Sequence, residues 1–145
     1  MTVEKLLAIE ELKALKSNYF FHVDGKHWAE LAELFTEDCR FELEEREAII
    51  GPRDFVATVE PALRSAVSVH HGHDPVITIL DEYRAEGRWA MEDNIRWPAD
   101  NPWNGYVGLK GFGHYFEQYR RTAAGWRICA LKLTRQRVDY ETAAG

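Results

Sequence analysis

The chain has 145 residues, 46% of them apolar and 29% charged, with a formal net charge of −6. That is the composition of one globular domain, long enough for a real core but too short for a second unit. The acidic balance leaves no broad positive field for phosphates, which excludes a nucleic-acid partner. No stretch reaches the roughly eighteen apolar residues of a membrane span, and no basic-then-apolar leader opens the chain, so a cytoplasmic location is expected. Cys39 and Cys129 stand in apolar alternations, where free thiols act as small hydrophobes, so no disulfide framework is expected.

In chain order, Val3, Leu6, Leu7, Ile9, Leu12, Leu15 and Tyr19 recur at three and four residues with charges between them, the pattern of an amphipathic helix. Asp24-Gly25 breaks that pattern and predicts a helix end near His22. Trp28, Leu31, Ala32 and Phe35 mark a short second helix. Cys39, Phe41 and Leu43 then alternate with Arg40, Glu42 and Glu44 as a first strand. Gly51-Pro52 opens a third helix with Phe55, Val56, Val59 and Leu63 inward.

Strands are predicted over 66–70, 76–80, 84–97, 106–122 and 126–138, with a turn at 72–75. Helices first and long strands afterwards give an α+β fold, helices packed on one face of a strongly curved, mostly antiparallel sheet. A sheet that curls around a helix without closing leaves an apolar cavity at its open end. The many aromatics of the last three strands fit this plan, most of them as core.

Residues 17–28 (Ser-Asn-Tyr-Phe-Phe-His-Val-Asp-Gly-Lys-His-Trp), followed by Leu34-Phe35-Thr36-Glu37-Asp38, resemble the opening of the SnoaL-like group within the nuclear transport factor 2-like superfamily. Val69-His70-His71-Gly72-His73-Asp74-Pro75 resembles that group's histidine strand and turn. Residues 113–121 with Gly125-Trp126-Arg127-Ile128 resemble its last hairpin, so the likeness covers nearly the whole chain.

The nearest enzyme patterns are those of scytalone dehydratase, bile acid 7α-dehydratase and hexachlorocyclohexane dehydrochlorinase. These imply a cone-shaped, cystatin-like roll, a homo-oligomer (dimer or trimer), and elimination from a small hydrophobic ring by an Asp and a His without cofactor. The resemblance maps the aspartate to Asp24, the histidine to His70 and a tyrosine to Tyr19, and it puts Asp74 where the group has an asparagine. The implied function is a cofactor-independent lyase or isomerase. The alternative is a non-catalytic ligand-binding or assembly module of the same fold.

Each residue also has a plainer account. Asp before Gly at a helix junction is a common cap. A buried Tyr19 hydroxyl can simply satisfy a backbone carbonyl. Tyr19 and Asp24 are about 140° apart on an unbroken helix, so they meet only if the helix ends first. His70 faces away from Val67 and Val69, and His71 and His73 compete for its role.

His71, His73 and Asp74 also read as a metal set. Gly72 and Pro75 argue for a turn there, however, and no other ligand group stands out, so no metal is expected. The expected pocket residues are Trp28, Trp89, His114, Tyr115, Phe116 and Arg121, with Arg121 suited to an anionic group or to plain solvent. Tyr115 and Phe116 belong to opposite faces of one strand, and the sequence does not say which face lines the pocket.

Overall fold

Thr2 starts the first helix: its side-chain oxygen accepts the backbone N–H of Lys5 at 3.1 Å, satisfying one of the free donors of the first turn. The computed structural model describes residues 1–44 and 46–143. Helix α1 spans Val3–Gly25, longer than predicted, because the left-handed turn that ends it falls at Lys26 (φ 59°), whose N–H returns to the carbonyls of His22 and Val23. Its apolar stripe is buried from Ala8 onward, through Leu12, Leu15, Tyr19 and Val23, whereas Val3, Leu6 and Leu7 are exposed. The short α2 (Trp28–Ala32) follows, then β1 (Phe35–Leu43), a two-residue β2 (Ile49–Ile50), and α3 (Pro52–Leu63) with Pro at its start as predicted.

The remaining chain is four long strands, β3 (Val67–Ile79), β4 (Arg84–Arg96), β5 (Tyr106–Thr122) and β6 (Gly125–Thr142). The sheet order is β2-β1-β6-β5-β4-β3; β1 and β6 run parallel and every other pair is antiparallel. The open edges are β2 and β3, so the sheet does not close.

The predicted turn at 72–75 is absent. β3 runs through it as one strand, because β4 is long enough to pair along its whole length; the irregularity shrinks to a bulge between His73 and Val76, with Asp74 at φ 48°. Pro75, which has no N–H for the ladder, sits within that bulge. Gly72 has a second purpose: a Cβ there would lie 2.8 Å from the Phe20 ring, so only glycine lets α1 approach β3.

Alternation sorts the strands cleanly. On β4, Ala85, Trp89, Met91, Asp93 and Ile95 are buried, while Arg84, Glu86, Arg88, Glu92, Asn94 and Arg96 face outward. Against the inner face pack α1 and α3, and Phe55 of α3 stacks on Phe41 of β1 at 4.1 Å between ring centroids. Cys39 and Cys129 are both free. Among the described residues no helix is long and apolar enough to cross a membrane.

Candidate active site

The last turn of α1 lies beside β3 and brings together two residues 46 positions apart. Asp24 accepts three hydrogen bonds from that strand: from the His70 backbone N–H at 2.8 Å, from the Ser68 hydroxyl at 3.1 Å, and from His70 Nδ1 at 2.7 Å. A carboxylate only accepts, so the Nδ1 facing it carries the hydrogen and the neutral ring keeps its lone pair on Nε2. That nitrogen points away from Asp24 toward β4. There Asp93, the cross-strand partner of His70, holds a carboxylate oxygen 3.8 Å away.

Asp93 is itself pinned. Arg135 of β6 donates to both its oxygens, Nη1 to Oδ1 at 2.7 Å and Nη2 to Oδ2 at 2.9 Å, a bidentate fork that balances a nearly fully buried charge. Gly111 of β5 lies between these strands, and a Cβ on it would collide with both partners of the fork.

His70, Asp93 and Arg135, with Arg46 and Thr58, are the polar lining of a cavity of about 210 Å³. Its apolar walls come from Val23 of α1, Phe55, Val59 and Leu63 of α3, Ile95 of β4 and Leu133 of β6. Tyr19 and Tyr115 complete it, edge to face with 6.0 Å between ring centroids. Both hydroxyls are pushed above the ordinary phenol range, first by burial, so each stays protonated at neutral pH.

Tyr19 and Asp24 thus point in different directions from one continuous helix. They do not converge on each other. His70 spans the gap, bonded to Asp24 on one side and sharing the cavity with Tyr19 on the other.

Of the six expected pocket residues, Tyr115 alone lines this cavity. The odd-numbered residues of β5 face inward, which puts His114 and exposed Phe116 on the opposite face of the sheet, in a hollow with Asp74, Arg88 and Ala90. Trp89 is buried outside this cavity, its indole N–H donating to the Tyr119 hydroxyl at 3.0 Å, and it lines a second hollow that His70 borders with Phe20. Trp28 packs on the core from α2. Arg121 lies at the surface with its guanidinium 4.8 Å from the Trp126 ring. His71 and His73 point outward, away from Asp24.

Sequence reasoning missed Asp93 and Arg135 as site residues. The signal for Asp93 was present: it is the one acid in the inward register of Trp89, Met91, Ile95 and Trp97. It also missed a second buried polar group. Lys16 Nζ donates to Glu117 at 2.6 Å with both side chains fully buried. The ammonium sits 3.8 Å and 3.6 Å from the ring centroids of Tyr19 and Tyr115. The Tyr119 hydroxyl donates to the other Glu117 oxygen at 2.8 Å.

Helices packed on one face of an open mixed sheet, with a His-lined apolar cavity between them, define an α+β roll of the cystatin-like kind. The SnoaL-like domain matches residues 4–132, and the chain belongs to that family. Solved structures agree on the fold. A protein from Novosphingobium aromaticivorans, provisionally named a scytalone dehydratase, superposes with a TM-score of 0.85 at 22% identity, covering 96% of this chain and 91% of that one. A type 2 hexachlorocyclohexane dehydrochlorinase gives 0.82 at 15% identity, covering 95% and 91%. A nuclear transport factor 2-like protein with a cystatin-like fold, also from Novosphingobium aromaticivorans, gives 0.77 at 19% identity, covering 92% and 85%.

Proposed function

We propose that this chain catalyses a cofactor-free elimination or isomerisation on a small hydrophobic molecule, with His70 as the base, Asp24 as its orienting partner and Tyr19 as a donor to a substrate oxygen. The observation that carries the reading is the hydrogen-bonding of His70: Nδ1 is held by Asp24 at 2.7 Å, which leaves Nε2, 3.8 Å from the cavity-lining Asp93, as the acceptor. Nε2 takes a proton from a carbon next to a carbonyl or leaving group. In an elimination, the C–H electron pair becomes the new double bond while the leaving group departs with its own pair. In an isomerisation, the imidazolium returns the proton to another carbon. Asp24 stabilises the transient imidazolium, and Asp93, 3.8 Å from Nε2, adds to that stabilisation while Arg135 neutralises it in the resting site. Tyr19, kept protonated by burial, polarises the oxygen on which charge develops.

The cavity also limits the substrate. Its volume of about 210 Å³ lies below the roughly 300–1,000 Å³ of pockets that enclose drug-sized ligands. It accommodates one ring with short substituents, and any larger ligand would extend through its open mouth. Its polar groups, His70, Asp93 and Arg135 of the sheet together with Arg46 and Thr58, stand among apolar side chains, which suits a ring bearing oxygenated or anionic substituents.

The proposal is tested with a panel of phenolic, single-ring polyketide and halogenated ring compounds ranked by thermal shift. Binders are then incubated with enzyme in D₂O and followed by mass spectrometry and NMR. Product formation or carbon-bound deuterium, reduced about a hundred- to ten-thousandfold in His70→Ala, is the expected result. Binding with neither turnover nor exchange in the wild type favours the ligand-binding alternative.

A further inference from the structure

We propose that the outer face of the β3–β4 ribbon is a transition-metal site, with His71, His73 and Glu92 as ligands and Zn²⁺ as the ion whose coordination fits them best. His71 and His73 are two apart on one strand and so project from the same face. Glu92 is the cross-strand partner of His71 on β4. His71 Nδ1 lies 3.8 Å from Glu92 Oε1, His73 Nε2 lies 3.6 Å from Glu92 Oε2, and the ligand atoms of the three residues all fall within 4.8 Å of one another. Donor atoms around a tetrahedral zinc with bonds of about 2.1 Å stand roughly 3.4 Å apart. The two histidine nitrogens approach different oxygens of Glu92, and rotation of the exposed side chains must bring the three donors from within 4.8 Å of one another to that spacing. The imidazole rings meet edge-on, at 72° with centroids 6.0 Å apart, so they are not stacked against each other.

The two objections that the sequence raised against a metal here do not hold in the folded chain. β3 continues through Gly72 instead of turning, and its bulge begins only after His73. A third ligand comes from the neighbouring strand, a pairing that sequence spacing could not reveal. Two imidazoles and one carboxylate are a borderline-soft donor set, suited to Zn²⁺, Co²⁺ or Ni²⁺ rather than Ca²⁺ or Mg²⁺. Each of the three side chains is about half exposed, at 58%, 50% and 49%, so an ion enters directly from solvent and keeps a fourth position for water or an external ligand. Because neighbouring residues on a strand face opposite ways, His71 and His73 project from the face opposite the His70 side chain, although all three border one hollow at the sheet edge beside Phe20 and Trp89.

The test is calorimetric titration of tag-free, chelator-stripped protein with ZnCl₂, repeated with CoCl₂ and read by visible absorption. The expected result is one equivalent of zinc per chain and the d–d bands of low-symmetry Co²⁺. Zinc affinity should fall about tenfold or more in His71→Ala and in His73→Ala, and less in Glu92→Gln. The double variant His71→Ala/His73→Ala should lose saturable binding. These exposed substitutions should leave the metal-free melting temperature unchanged, so that saturating zinc raises it by about 5 °C in the wild type and not in the double variant. His22 and His27, whose Nδ1 atoms lie 3.1 Å apart, are the internal control: His22→Ala/His27→Ala should bind zinc like the wild type. Zinc binding undiminished in His71→Ala/His73→Ala, or loss of binding with the His22/His27 pair instead, overturns the assignment. So does a wild type that takes up no zinc.

Discussion

Two charged clusters are built into the inner face of the sheet, and they differ in what their groups can reach. Lys16 and Glu117 are both 0% exposed, and each oxygen of Glu117 has a donor, from Lys16 and from Tyr119. Asp24 retains 25% exposure and His70 10%, and His70 lines a cavity. The first cluster is closed and has nothing to offer a substrate, whereas the second is held from behind and open in front. Tyr19 and Tyr115 separate them, with the Lys16 ammonium against their rings on one side and the cavity on the other. On the proposed reading, what sets the second cluster apart is a group with a free lone pair beside a cavity, and not the burial of charge as such.

The largest expected effect breaks the open cluster. Asp24→Asn frees the ring to take the other tautomer and removes the charge opposite the imidazolium, so turnover should fall about a hundredfold or more with the fold intact, as judged by near-UV circular dichroism and melting temperature. In the closed cluster the same kind of change should act on stability. Lys16→Met strands Glu117 without its counter-charge and should cost about 3–5 kcal/mol in urea unfolding, of which the double variant Lys16→Met/Glu117→Leu should recover a large part.

The closed cluster also carries a pH signature. Burial lowers Lys16 from its usual 10.5 to about 8, against the opposing pull of Glu117. Between those values the unfolded chain holds a proton that the folded one has released, so stability rises with pH across that window, by up to about 3 kcal/mol from this group. Burial holds the Cys39 and Cys129 thiols above their usual 9.0, which acts against this rise from about pH 9. Tyr19, Tyr115 and Tyr119 are held neutral by burial while their unfolded counterparts ionise, which favours unfolding. Urea curves at pH 7.5 and 9 should show wild-type stability rising relative to that of Lys16→Met/Glu117→Leu, a difference in which the cysteine and tyrosine contributions cancel. The smallest effect is that of Ser68→Ala, which removes one of three donors to Asp24. It should reduce kcat by about fivefold at unchanged KM, or about 1 kcal/mol.

The element plan was readable from the sequence because it rests on local periodicity: the α1 stripe from Leu12 onward, Pro52 at the start of α3, and the alternation along β4 and β5 all fall where the pattern predicts, whereas Val3, Leu6 and Leu7 continue the period without a partner to bury them. The errors lie where a neighbour decides. Gly72 and Pro75 carry turn chemistry, yet β4 supplies pairing partners through that stretch and leaves only a bulge. Asp24 and His70 were singled out through family resemblance, and their contact at 2.7 Å is a tertiary fact. His114 and Phe116 were candidates because aromatic and imidazole groups suit a pocket, but their register on β5 sends them to the other face, and nothing in a single strand tells which face a helix will cover. Asp93 and Arg135 meet only through the sheet order β6-β5-β4, across the gap that Gly111 leaves.

The central claim is that Asp24 fixes the hydrogen of His70 on Nδ1 and so presents Nε2 as a base. It is tested most directly by nitrogen NMR of histidine-labelled protein at a pH where the ring is neutral, which needs no substrate. The account predicts a protonated Nδ1 and an unprotonated Nε2 for His70, with the preference lost in Asp24→Asn. A His70 that carries its hydrogen on Nε2 in the wild type, or whose tautomer is the same with and without the Asp24 carboxylate, contradicts it.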